Sequence, residues 1–170
     1  MRLIAAVLFL FIFSFCKSSK PTASMFNQKD NDSLFVEMER SVCFGACPWY
    51  NVKIYESGYT VYDGKKFVDK NGIHTTTLST EELKRIYDEA VQIKFINLND
   101  RYDNKQVTDL PSTQISVQIN GTRKSIYDRF ESPKELENFE RMIDQILDEK
   151  DWTKRMPVDK PDEKLKMKDE

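Results

Sequence analysis

Cys43 and Cys47 stand four residues apart, with Gly45 between them and Pro48 directly after, ahead of the alternating run Trp49 to Glu56. Joined, they close a five-residue ring, in which Gly45 supplies the positive φ that a tight turn often needs. Such a ring removes about 2 kcal/mol of freedom from the unfolded chain in the loop-entropy picture. Whatever sheet the chain builds, one loop of it is pinned here. A disulfide is the leading reading, because paired thiols outside the cytoplasm are oxidised and stay so. A thiol-exchange centre is a second reading, although oxidoreductases use the closer Cys-x-x-Cys spacing at a helix start. A metal site is a third, with His74, the sole histidine, and a carboxylate completing four ligands.

The remaining cysteine, Cys16, ends an apolar leader. Arg2 precedes a run from Leu3 to Phe15 that only Ser14 interrupts. That run is too short to span a bilayer, which takes about 20 apolar residues. A basic start, a short apolar stretch and then Lys17-Ser18-Ser19-Lys20 read as a secretory signal over residues 1–15. A cysteine directly after it resembles a bacterial lipoprotein signal, in which the thiol is diacylated and becomes the first residue of the mature chain. Phe15 and Phe13 occupy places where such signals usually carry a small residue and a leucine. The expectation is a chain lipidated at Cys16, on the periplasmic face or outer surface of a bacterial membrane; an ordinary cleaved signal or an uncleaved anchor is the alternative. Asn31-Asp32-Ser33 and Asn120-Gly121-Thr122 are formal glycosylation sequons that matter only in a eukaryotic source.

Composition divides the rest. Residues 16–33 are polar and read as a flexible tether. Residues 34–152 have the size and apolar content of a single domain. Residues 153–170 mix Lys, Asp and Glu around Pro157 and Pro161 and read as a disordered charged tail. Loss of the leader removes Arg2 and leaves 25 basic against 28 acidic side chains. That balance, with no run of five basic residues, argues against nucleic acid as a partner.

Within the domain, Leu34 to Arg40 is a strand candidate, and Trp49 to Glu56 a clearer one with Tyr50, Val52 and Ile54 on one face. Ser57-Gly58, Asp63-Gly64 and Asn71-Gly72 read as turns separating Tyr59 to Tyr62, Lys66 to Asp69 and Ile73 to Leu78. Ser79-Thr80-Glu81-Glu82 is a capping box for a helix from Thr80 to about Lys94. Its stripe is Leu83, Ile86, Tyr87, Ala90 and Val91. A polar loop from Asn99 to Pro111 leads to a hairpin, Thr113 to Ile119 and Arg123 to Tyr127. Ser132-Pro133 then caps a second helix striped by Leu136, Phe139, Ile143, Ile146 and Leu147, with Trp152 packing back. The expected class is α+β: an antiparallel sheet of five to seven strands, ordered meander, helix, hairpin, helix, with both helices on one face.

Chemistry-bearing residues are few. The acids of Asn97 to Asp109 lack the order of a calcium loop, and a polar surface loop is the preferred account. His74 is expected half exposed on a hairpin strand. No motif implies a cofactor, the metal reading at Cys43, Cys47 and His74 is not preferred, and a hydrolase using Asp100, Asp103 or Asp109 is only a third, weaker reading, so no catalytic residue is nominated. Trp49 and Tyr55 share a sheet face; left uncovered, they would make a sticky surface for glycan, peptide or protein. Tyr102 and Asp109, in the long loop, complete the candidate binding surface.

The run Cys43-Phe44-Gly45-Ala46-Cys47-Pro48-Trp49-Tyr50, followed by Val52, Ile54, Gly58 and Gly64, resembles a DUF6438-like family of bacterial secreted and lipid-anchored domains marked by C-F-G-x-C-P-x-Y. The likeness continues through Phe95, Tyr102, Thr108-Asp109, Pro111, Pro133, Leu136 and Trp152. The resemblance implies a compartment and a shared fold; it brings no activity, ligand or catalytic residue. The expected function is a lipid-anchored envelope module, non-enzymatic, that binds an envelope protein, peptide or glycan. The rival is an envelope thiol-redox protein using Cys43 and Cys47.

Overall fold

Alternation of apolar and polar residues puts one face of each strand against a core, and the strands here obey it. A computed structural model describes residues 32–155. The leader, Cys16, nearly all of the tether including Asn31, and the tail beyond Arg155 lie outside the described residues. The elements are β1 (Leu34–Arg40), β2 (Trp49–Tyr55), β3 (Tyr59–Lys66), β4 (Gly72–Thr77), α1 (Thr80–Gln92), a 3-10 turn (Phe95–Asn97), β5 (Arg101–Tyr102), β6 (Thr113–Ile119), β7 (Thr122–Asp128), α2 (Lys134–Asp148) and β8 (Thr153–Lys154). They form one eight-stranded sheet in the order β5-β7-β6-β1-β2-β3-β4-β8. Every pair is antiparallel except β5 with β7. The α+β class stands as expected. The strand number exceeds the expectation because β5 and β8 have two residues each, too few to show a period. β8 also carries the sheet past residue 152.

Register lines the helix-facing side chains up in rows. Ile126, Ile115, Met38, Val52, Tyr62 and His74 form one row across β7, β6, β1, β2, β3 and β4. Val117, Val36, Ile54 and Thr60 form the next. Ile86 and Ala90 of α1 and Leu136, Phe139, Ile143, Ile146 and Leu147 of α2 close the core over them. Phe95 meets the Phe139 ring edge-on at 5.7 Å. Each fully buried aliphatic or aromatic side chain of this kind contributes roughly 1.5–3 kcal/mol.

The turns show where sequence and structure part. Ser57-Gly58 turns as expected: Gly58 has φ 85°, and a Cβ there would lie 2.3 Å from the Leu78 carbonyl oxygen. Asp32 steadies this turn by accepting from the Ser57 amide at 3.1 Å and hydroxyl at 2.5 Å. Asp63-Gly64 is not a turn. β3 runs through it to Lys66, with a register shift opposite Trp49 and Tyr50. Gly64 is needed because a Cβ would sit 1.8 Å from the Lys70 carbonyl oxygen as the chain folds back. Phe67 to Lys70, expected mostly as strand, is that fold-back, with Phe67 at φ 54°.

The capping box of α1 forms in full: Ser79 Oγ accepts from the Glu82 amide at 3.2 Å, and Glu82 accepts from the Ser79 amide at 2.7 Å. α2 begins one residue later than its sequence suggests, because Pro133 is the cap and Ser132 donates its hydroxyl to Asp128 at 2.8 Å instead. The long loop is tied down through Asp103, which accepts from Arg129 at 2.5 Å and Arg101 at 2.6 Å. His74 is buried rather than half exposed, because it lies in the Met38 row, between Tyr62 of β3 and Lys154 of β8.

Candidate functional site

Arg40 ends β1 in phase with Val36 and Met38, so its side chain enters the face that the helices cover. A guanidinium there needs partners. It lies in a row with Asp128, Thr113 and Tyr50, drawn from β7, β6 and β2. From above, α2 supplies two carboxylates. Arg40 donates to Asp144 at 2.6 and 3.1 Å, to Glu140 at 3.2 Å, to Thr113 at 2.7 Å and to the Tyr50 oxygen at 3.3 Å. Tyr50 donates its hydroxyl to the second oxygen of Asp144.

The protonation states follow from this crowding. Burial opposes the charge of Arg40, but Asp144, Tyr50 and Glu140 outweigh it, and the guanidinium holds its proton more tightly than usual. Burial, and then the Asp144 carboxylate, drive the Tyr50 phenol well above its ordinary range against the pull of Arg40. Burial pushes Glu140 up to about 7, with Arg40 working the other way. Its Oε1 is buried and has no hydrogen-bond partner among the described residues. Burial, then the neighbouring Glu137, raises Asp128 too, against its bond from Ser132.

The Cys43–Cys47 ring sits over this end of the sheet. The two sulfurs are at disulfide distance, 1.93 Å, and the Gly45 amide donates to Cys43 Sγ at 3.3 Å. Both cysteines are half-buried, while Phe44 at the tip is 89% exposed. Gly45 takes no positive φ, contrary to expectation; the ring closes without a left-handed residue. Two clefts flank Arg40 and Pro48. One, of about 300 Å³, lies towards β3 and β8 and is walled by Tyr50, Tyr62 and Trp152 with Asp69, Asp144 and Asp148. The other, of about 330 Å³, lies towards β7 and is bounded by Cys47, Thr113, Asp128 and Glu140. Among the described residues no three His, Cys, Asp or Glu side chains are grouped to hold a metal ion.

A family model described as Domain of unknown function (DUF6438) matches residues 34–147. The chain belongs to this family. The DUF6438 match begins with β1 and stops near the end of α2, so it contains the ring, Arg40 and both carboxylates of α2. Trp152 and β8 lie beyond it. No curated protein matches the chain.

The residues nominated from sequence are scattered over the DUF6438 fold. Trp49 and Tyr55 share the sheet face turned away from the helices, but at opposite ends of β2. Trp49 is 36% exposed and donates to Glu39 at 3.4 Å. Tyr55 is half-buried beside the Tyr59 ring, 5.9 Å away. Tyr102 packs against the core from β5 and accepts from the Asn99 amide at 3.1 Å. Asp109 is exposed in the loop before β6. Cys16 lies outside the described residues.

Sequence reasoning passed over Arg40, Tyr50, Thr113, Glu140 and Asp144 as a group. A signal existed. Arg40 keeps the two-residue phase of Val36 and Met38, and Glu140 falls inside the helical stripe of Leu136, Phe139 and Ile143. A charged residue on the buried phase of an element must find a partner, although phase alone does not say which.

Proposed function

We propose that this chain is a lipid-anchored, non-enzymatic cell-envelope module that meets a partner protein at the end of the sheet carrying the Cys43–Cys47 ring. One observation carries the reading. Seven large apolar side chains are exposed among the described residues, and six of them, Val42, Phe44, Trp49, Phe67, Ile73 and Leu110, lie at that end. The seventh, Val91, is on α1. Exposed apolar side chains concentrated at one pole favour a contact with another molecule there. Phe44 and Trp49 are also of the residue types that dominate such contacts.

Strand direction supports the arrangement. β1 and β3 end at this pole, and β2, β4 and β6 begin there. The chain enters β1 at the opposite pole, where Leu34 pairs with Tyr55. A lipid on Cys16 would be joined there through residues 17–33, a span of at most about 60 Å when fully extended. The anchored pole and the apolar pole are then different ends of one rigid sheet.

The test is site-specific photocrosslinking of the full chain in its own envelope. A photoreactive residue replaces Phe44 in one variant and Val91 in another. A single adduct from position 44 that is absent from position 91 is expected. Equal adducts from both positions, or none from 44, would refute a partner at the ring pole.

The partial exposure of both cysteine residues favours a second reading, an envelope thiol-redox protein using Cys43 and Cys47. Equilibration with glutathione buffers separates the two. A midpoint below about −300 mV marks a structural staple, and one near −230 mV or higher marks an exchanging pair.

A further inference from the structure

The geometry points to the cleft between β3, the fold-back after it, α2 and Trp152 as a receptor for a primary alkylammonium group, such as a lysine side chain or a free diamine carries. The inference deepens the docking reading, on which it rests for the source of its ligand.

The wall comes first. Tyr50 and Tyr62 stack with ring centres 5.0 Å apart, and Trp152 closes on Tyr62 at 5.5 Å with its plane tilted by 56°. Trp152 is not free to swing away, because its indole N–H donates to the Leu147 carbonyl at 3.0 Å. The result is an aromatic corner, two rings meeting at an angle, which is the shape that draws an organic cation onto ring faces.

The charge comes second. Asp69, Asp144 and Asp148 line the same cleft. Asp144 is committed to Arg40 and Tyr50. Among the described residues neither Asp69 nor Asp148 enters an ion pair. The cations on the lining are Arg40, already met by two carboxylates, and Lys70. Uncommitted acids therefore outnumber uncommitted bases. The Tyr62 phenol registers the imbalance: burial first, then Asp148, Asp144 and Asp69, push it up to about 12. An anion would meet this potential unfavourably, and a neutral sugar would use the rings but not the carboxylates.

The experiment is calorimetric titration of the full chain at low salt with N-acetyl-lysine methylamide, whose only amine is the side chain. N-acetyl-norleucine methylamide is the neutral control, and 1,5-diaminopentane the free-amine probe. The lysine analogue is expected to bind at least about tenfold more tightly than the norleucine analogue. Asp148→Asn, an exposed substitution, is expected to weaken the lysine analogue by about threefold or more. A diamine that binds more tightly than the lysine analogue assigns a small-molecule source, and the reverse order assigns a side chain. No heat from either amine, equal binding of norleucine, or an unchanged affinity in Asp148→Asn would overturn the site. The outcomes are separable from the docking test. A chain that binds the amines but forms no adduct at position 44 keeps the cleft and loses the partner, and a chain that does the opposite keeps only the partner.

Discussion

Glu140 holds the least accommodated position among the described residues. One of its oxygens meets Arg40 at 3.2 Å, and the other is buried without a partner. Arg40 on β1, Asp128 on β7 and Asp144 on its own helix are the charges around it. Its folded pKa of about 7 lies above the ordinary 4.5. Between those values the folded chain keeps a proton that the unfolded chain has lost. The resulting stability is present in full below about pH 4.5 and is lost as pH rises through 7, at a cost on the order of 3 kcal/mol. Urea unfolding at pH 5 and pH 8 checks this. The parent chain should lose stability over that interval, and Glu140→Gln should lose markedly less. Equal slopes would show that Glu140 ionises freely. Little of this was readable beforehand. Phase shows that Arg40 and Glu140 each point inward, but nothing local says that residues a hundred positions apart share one bond. That pairing is fixed by the antiparallel order of β1 and β6 and by where α2 crosses them.

At the scale of elements, periodicity carried far. The long strands, the capping box and both helical stripes were legible, because each repeats its signal over several residues. Two kinds of element were not. β5 and β8 are tertiary products: each forms because a neighbouring strand offers an edge, and two residues show no pattern. Asp63-Gly64 failed for a different reason. A glycine in a strand marks either a turn or a close backbone approach, and the dipeptide is the same in both cases. A contrasting pair of substitutions tests the distinction. Gly64→Ala drives a methyl into the Lys70 carbonyl and should cost about 2–4 kcal/mol. Gly45→Ala, whose nearest neighbour would be Cys43 Sγ at 3.7 Å, should stay within about 0.5 kcal/mol. Urea midpoints read both, and a tolerated Gly64→Ala would mean that the fold-back has room to move.

For the whole molecule, the proposed lipid on Cys16 makes a prediction about where the protein resides. Cys16→Ala should shift the chain from the membrane to the soluble fraction on ultracentrifugation. Continued sedimentation of that variant with membranes would remove the lipid from the account. None of the described helices is long and apolar enough to cross a membrane.

The position of β1 has a mechanical consequence. It lies inside the sheet, paired along its length with β2 on one side and β6 on the other. A pull on the chain at Leu34, resisted by a molecule gripping the opposite pole, runs along the strand axis. Where the grip is on the loops before β4 or β6, two ladders of hydrogen bonds flank the loaded strand, whereas a strand at the margin would have one. Under the proposed anchor on Cys16, tension would enter the domain at a strand held on both sides.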